Sequence, residues 1–172
     1  MRKVVFETDR LELCVPCLAD VDALAGYWGD PETMRYLGIN GDVWTREQVV
    51  ERVERGARFC DEHGMTFWTV VEKATRAVIG QGGLVPIAFD GDEVELGYRF
   101  GKEHWGKGYA TEVARASAAY GFGVLGLDRL VAVSFPGNVA SRKVLMKVGF
   151  EALGESGLYY GKVLILFEMM KR

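Results

Sequence analysis

The sequence predicts a mixed α/β domain (α+β) organised around a strand, a glycine-rich loop and a helix. Three observations predict it. Short runs with alternating apolar residues, the period of a half-buried strand, are interleaved with segments of helical period. The segment HWGKGYAT, His104 to Thr111, joins the best strand to the best buried helix. The chain has 172 residues, of which 49% are hydrophobic and 26% charged, the profile of an ordinary globular protein. That length suits one domain better than two, so residues 1–172 read as a single unit.

The elements follow in order. Arg10 to Val15 alternates and reads as a strand stopped by Pro16. Leu18, Val21, Leu24, Ala25 and Trp28 have helical spacing; Asp30-Pro31 breaks that helix, and Pro31 opens a short second turn. Gly38 to Asp42 reads as a flexible loop. Thr45 with Gln48 forms a capping box, followed by an apolar stripe of Val49, Val53, Ala57 and Cys60, with Gly64 as a left-handed terminator. Three strand-like runs come next. They are Thr66 to Glu72, Ala77 to Ile87 with a bulge expected at Gly82-Gly83, and Glu93 to Phe100 after a turn at Asp90-Gly91-Asp92. In the third, Val94, Leu96, Tyr98 and Phe100 share one face, and Glu95, Gly97 and Arg99 the other. A helix spans about Ala110 to Leu125, with Val113, Ala116, Tyr120 and Val124 on its apolar side. Arg129 to Phe135 is a strand, and Asn138 caps a short helix ending at Gly149. Two strands close the chain, Phe150 to Tyr159 and Lys162 to Met170. The last is apolar on both faces and should be interior.

Composition excludes several classes. A net charge of -3 gives no electrostatic reason to expect nucleic acid or an anionic membrane as partner. The longest apolar run, Val163 to Phe167, is far short of the roughly 20 residues of a membrane helix. The start, MRKVVFETDR, meets charge before a signal-peptide core can form. A cytoplasmic location is expected, with the three cysteines reduced. Cys14 with Cys17, and Cys60 with His63, could together supply four zinc ligands, but the 42 residues between the pairs exceed finger spacing. Buried structural cysteines are the plainer reading, and no metal is expected.

Two glycines in a strand-to-helix loop let the backbone approach a ligand, and the bare amides of the next helix favour an anion, typically a phosphate. Three nucleotide readings compete for it. Gly101 to Lys107 spells G-x-x-x-x-G-K, but Gly108 stands where a P-loop needs Ser or Thr for magnesium. Gly121 to Gly126 spells G-x-G-x-x-G, but at the end of a helix rather than after a strand. The third reading fits. WGKGYA, Trp105 to Ala110, resembles the pyrophosphate loop of the GNAT N-acetyltransferases, with Trp105 in place of the usual Gln or Arg. NVASRKVLMKVGF (Asn138 to Phe150), ELGY (Glu95 to Tyr98) and TDRLEL (Thr8 to Leu13) also resemble that family, in order and at matching spacing. The set is most similar to the RimJ/RimL-like branch, which acetylates ribosomal-protein N-termini.

That resemblance implies a central, mostly antiparallel twisted sheet of six to seven strands, splayed between the fourth and fifth, with about four flanking helices. It implies acetyl-CoA as co-substrate and transfer of the acetyl group to a primary amine, by direct attack in a ternary complex. Backbone N–H groups from Gly106 through Lys107, Gly108, Tyr109, Ala110 and Thr111 would hold the pyrophosphate. Trp105 departs from the consensus, which puts a side-chain phosphate contact there in doubt. The pantetheine amides would pair with the edge of the Glu93 to Phe100 strand, and an N–H near Arg99 or Phe100 would bond the thioester oxygen. Asn138 would add a hydrogen bond to the arm beyond its capping role.

Many relatives carry a tyrosine acting as general acid where Leu145 stands, and RimL-like relatives use a serine at the position of Ser141, so the resemblance implies Ser141 as the candidate general acid or water anchor. Its plain reading is a serine bonded to its own helix. Glu95 is the candidate base, with Arg99 on the same face expected to lower its pKa. A water chain is the other route, and Glu103 and a surface-exposed His104 are fallbacks. Trp28, Tyr36, Trp44, Trp68 and Tyr98 are candidate walls of the acceptor pocket, and Tyr36 and Trp44 are singled out as substrate contacts. The acceptor remains open among ribosomal-protein N-termini, an amino acid, a polyamine and an aminoglycoside. Dimers are frequent in families of this type. The alternatives are an acetyl-CoA-sensing module of the same fold without turnover, and a P-loop nucleotide-binding protein.

Overall fold

A computed structural model describes residues 2–37, 40–89 and 91–172. Gly38 and Ile39 of the expected loop, and Asp90 of the expected turn, lie outside the described residues. The strands are β1 (Val4–Glu7), β2 (Leu11–Cys14), β3 (Phe67–Glu72), β4 (Val78–Pro86), β5 (Val94–Phe100), β6 (Arg129–Ser134), β7 (Glu151–Ser156) and β8 (Leu164–Met170). The helices are α1 (Val21–Trp28), α2 (Pro31–Met34), α3 (Arg46–His63), α4 (Tyr109–Gly123) and α5 (Val139–Val148). One eight-stranded sheet runs β1-β2-β3-β4-β5-β6-β8-β7. Every neighbouring pair is antiparallel except β5–β6, which is parallel and joined at the single pair Glu95↔Val131. The expected splay falls between the expected two strands. They rank fifth and sixth because β1, whose Val4-Val5-Phe6 run does not alternate, adds a strand at the edge. The last strand is interior, as its two apolar faces require: β8 lies between β6 and β7.

The helix signals act as read. Thr45 accepts from the Gln48 N–H and Gln48 returns the bond to Thr45, while Gly64 ends α3 at φ 71°. Asn138 Oδ1 accepts from the Ser141 N–H, and Gly149 ends α5 at φ 115°. Two readings need correction. Gly82 and Gly83 pair regularly with Trp68 and Phe67, and the bulge lies instead between Val70 and Val71 opposite β4. A Cβ on Gly82 would meet Val113 at 2.5 Å, so this glycine exists to seat α4 on the sheet. The buried side of α4 is Val113, Ala114, Ser117, Ala118 and Gly121, whereas Val124 is exposed. Small residues, not large apolar ones, mark the face of a helix that packs this closely.

The sheet divides two apolar clusters. Leu96, Phe100, Trp68, Val113 and Ala118 fill the α4 side. Trp28, Leu24, Val49, Val53 and Val71 fill the α1–α3 side.

Candidate active site

The loop from Gly101 to Gly108 begins as a short 3₁₀ turn, Lys102–His104, then passes through Gly106 at φ 74° and Gly108 at φ 83°. Both angles are left-handed and favour glycine. The Glu112 N–H donates to Gly108 C=O at 3.1 Å, the first bond of α4. Among the described residues no N–H from Gly106 to Thr111 donates to a backbone carbonyl. Six consecutive donors are thus left without a backbone partner at the positive end of a 15-residue helix, an arrangement suited to a diphosphate. The loop is pinned from outside by Arg10, which donates to Lys107 C=O at 3.0 Å and pairs with Glu112 at 2.6 Å. Tyr109 is buried and its hydroxyl is committed to Glu72. Trp105 turns its indole N–H back to Phe100 C=O at 2.9 Å, so that side chain braces the loop.

The exposed strand edge continues from the loop. Gly101 N–H bonds Ile79 C=O and Ile87 N–H bonds Glu93 C=O. In antiparallel register, the backbone groups of Glu95, Gly97 and Arg99 therefore point at β4, and those of Leu96, Tyr98 and Phe100 point into the splay. This corrects the expectation for Arg99, whose amide is spent on β4. The free donors are those of Tyr98 and Phe100.

A cleft of about 620 Å³ opens along this edge. Its walls come from the α2–α3 connection (Tyr36, Trp44), α3 (Arg52), β5 (Glu95 to Arg99), β6 (Val133), the start of α5 (Asn138, Ser141, Leu145) and Tyr160 of the β7–β8 hairpin. Glu95 and Ser141, 46 positions apart in sequence, meet in it. Glu95 is buried, and burial pushes its carboxyl up to about 7, opposed by a hydrogen bond from Tyr160. The expected depression by Arg99 does not occur, because Arg99 bonds Gln81 Oε1 at 3.0 Å instead. Tyr160 also accepts from Ala88 N–H at 3.0 Å and holds φ at 59°, a strained angle that fixes its hydroxyl on the carboxyl.

Ser141 Oγ lies 3.1 Å from Tyr98 Oη, which also donates to Ser141 C=O at 3.1 Å. Burial pushes Tyr98 up to about 12, so it stays a neutral phenol. Sequence reasoning placed Tyr98 as a wall and missed both its pairing with Ser141 and the part of Tyr160. The one available signal was Tyr98's position on the face opposite Glu95.

Other candidates separate. Tyr36 donates to Gly137 C=O at 3.2 Å, and Trp44 lies under Arg52 and Arg99. Both line the cleft. Trp28 and Trp68 are core residues. His104 is not surface-exposed: its side chain is 14% accessible, 3.1 Å from Tyr27 Oη, and burial lowers its pKa. Neither His104 nor Glu103 lines the cleft. Gly101 opens a 3₁₀ turn rather than a phosphate cradle, and Gly121 and Gly123 belong to α4 itself. Cys14 and Cys60 are buried in separate clusters, and among the described residues no group of three His, Cys, Asp or Glu side chains is placed to hold a metal.

Residues 10–151 match the Acetyltransferase (GNAT) domain family. The chain is 33% identical over 150 residues to the Uncharacterized N-acetyltransferase YoaA of Bacillus subtilis (strain 168), which spans 87% of this chain and 84% of that relative. Among solved structures, a GNAT-family acetyltransferase from Bacillus anthracis superposes with a TM-score of 0.81 at 23% identity, covering 95% of this chain and 96% of that one. RimL, a ribosomal L7/L12 alpha-N-protein acetyltransferase in complex with coenzyme A, superposes with a TM-score of 0.80 at 14% identity over 98% of both chains.

Proposed function

The chain belongs to the GNAT acetyltransferase family and is an N-acetyltransferase, and we propose that it takes its acetyl group from acetyl-CoA held along the loop and the free edge of β5. The observation that carries this reading is the continuity of the track. Unbonded amides from Gly106 to Thr111 lead to the free N–H groups of Phe100 and Tyr98, and the track ends where β5 and β6 close at Glu95. The diphosphate sits on the amides without a side-chain charge. The pantetheine arm adds itself to β5 as a partial strand, and Asn138 borders it. From Phe100 to Glu95 the edge runs roughly 16 Å, at 3.3 Å per residue. The Tyr98 N–H, nearer the closed end, is left for the thioester oxygen.

Glu95 takes the proton. A carboxyl poised near neutrality is half ionised at physiological pH and still basic enough to accept a proton from an attacking amine. The amine nitrogen forms a bond to the acetyl carbon, the carbon–sulfur bond breaks, and the amine proton passes to Glu95 directly or through water. A thiol titrates near 8.5, so the departing thiolate needs stabilisation rather than a strong acid. Ser141, oriented by Tyr98, supplies that hydrogen bond.

The acceptor is a primary amine, on a small molecule or a protein N-terminus, entering beside Tyr36 and Trp44. Thiol release from acetyl-CoA against a panel of amines and N-terminal peptides tests the reading. Turnover with at least one acceptor is expected, and Ser141→Ala should slow it about 10-fold while leaving acetyl-CoA binding unchanged. Tight acetyl-CoA binding without release across the panel would favour a sensing module instead.

A further inference from the structure

The acceptor side of the cleft holds two arginines, Arg52 and Arg99, that form no ion pair among the described residues, although Glu51 acts on Arg52 through space. A second cavity of about 140 Å³ shares Arg52, Phe67 and Arg99 with the main cleft and has no acidic residue in its wall. Arg99 lies over the rings of Trp28, Trp44 and Phe67 at 4.4, 4.8 and 5.3 Å. Its single hydrogen bond goes to the neutral Gln81, and its Nε is buried without a partner. Arg52 lies 3.6 Å over the opposite part of the same network, on Trp44. Neither forms an ion pair among the described residues, whereas Arg2, Arg10, Arg46, Arg76 and Arg129 all do. Burial and mutual repulsion push Arg99 down to about 9, so it still carries its charge at neutral pH.

Holding two half-buried guanidinium groups close together without an ion pair, one of them with an unpartnered buried Nε, carries a cost that a bound anion would relieve. Aromatic faces offset part of that cost but leave the in-plane N–H donors free, and those donors match a planar or tetrahedral oxyanion. Arg52, Arg99 and Glu95 all line the main cleft, and Glu95 and Arg99 are four residues, or about 13 Å, apart along β5. An acceptor whose amine and anionic group are separated by several bonds can bridge that distance once the side chains reach toward it.

We propose that the acceptor is a small amine carrying an anionic oxygen group, a carboxylate or a phosphate, which Arg52 and Arg99 bind in the second cavity while its amine reaches Glu95. This rests on the acetyltransferase site described above and adds the substrate class. It also gives a specificity device. A neutral amine leaves the arginines unpaired in the ternary complex, so discrimination appears in kcat/KM for the acceptor and not in the affinity for acetyl-CoA.

Matched amines long enough for that distance test it: 6-aminohexanoate against its carboxamide, and 5-aminopentyl phosphate against 5-aminopentanol, each read by thiol release. The wild type should favour the anionic member of at least one pair by about 10-fold or more, and which pair responds separates carboxylate from phosphate. Arg52→Gln should lower kcat/KM for the anionic member about 10-fold more than for the neutral one, so that the preference collapses while the acetyl-CoA Kd is unchanged; Arg52→Lys should restore part of it. Equal turnover of both members, or an equal loss for both in Arg52→Gln, overturns the proposal. A binding measurement independent of the donor accompanies it. Without CoA, N-acetyl-6-aminohexanoate should raise the Tm of the wild type more than its carboxamide does, and Arg52→Gln should abolish the difference. If those shifts are equal, the anion site is wrong. If they differ while acetyl-CoA fails to bind, it is the donor-site reading that falls.

Discussion

The track proposed for the donor is made of backbone, and the cleft proposed for the acceptor is lined by side chains. On the donor side, the groups proposed to bind are six amides at a loop and two more on a strand edge, and the side chains nearby (Trp105, Tyr109, Arg10) are committed to bracing the protein itself. On the acceptor side, Glu95, Arg52, Arg99 and Tyr160 converge from β5, α3 and the β7–β8 hairpin, with unusual ionisation and few partners. Backbone donors cost little to leave open at a solvent-facing helix start. Buried ionisable groups are expensive, and retaining them implies a task.

Breaking the acceptor half at its base should have the largest effect. Glu95→Gln is expected to lower kcat about 10²- to 10³-fold with acetyl-CoA affinity unchanged, read by steady-state kinetics and calorimetry. The wild-type rate should rise with pH and level off above about 7, since the base must be deprotonated, and the variant should lose that rise. Stability should move the other way. The folded carboxyl is raised from 4.5 to about 7, so the stability it confers is present below 4.5 and is lost as pH climbs toward 7. Glu95→Gln should therefore melt a few degrees higher than the wild type at pH 8.

Breaking the donor half should separate binding from chemistry. Gly108→Val forces a β-branched residue to φ 83° and displaces the amides, raising the acetyl-CoA Kd roughly 10- to 100-fold. Unchanged affinity in that variant would mean that the diphosphate lies elsewhere.

Tyr160→Phe sharpens the comparison with the smallest change. The Tyr160 hydroxyl lowers the Glu95 pKa against the pull of burial, so its removal should shift the pH–rate midpoint upward. A rate at pH 7 reduced a few-fold, and recovered at higher pH, would identify Tyr160 as a positioning residue for Glu95 rather than a wall of the pocket.

The donor half was legible in the sequence because its signals are local. Gly106 and Gly108 mark left-handed backbone, Asn138 and Gly149 mark the two ends of α5, and alternation in Glu93 to Phe100 marks the strand. The misreadings share one cause, a long-range contact. Gly82 and Gly83 look like a bulge until α4 and Trp68 are seen against them. Arg99 looks like a partner for Glu95 until Gln81 takes it, and His104 looks exposed until Tyr27 covers it.

The sequence by itself determined the helices, their caps, the glycine turn and every strand but the edge strand β1, because each depends on residues within a few positions of one another. Only the tertiary structure decided which ionisable groups share a cavity and in what state. The pKa of Glu95 is set by burial and by Tyr160, 65 positions away, and that of Arg99 by burial and by Arg52, 47 positions away. Solvation and Coulomb interaction act through space, and no spacing along the chain records them.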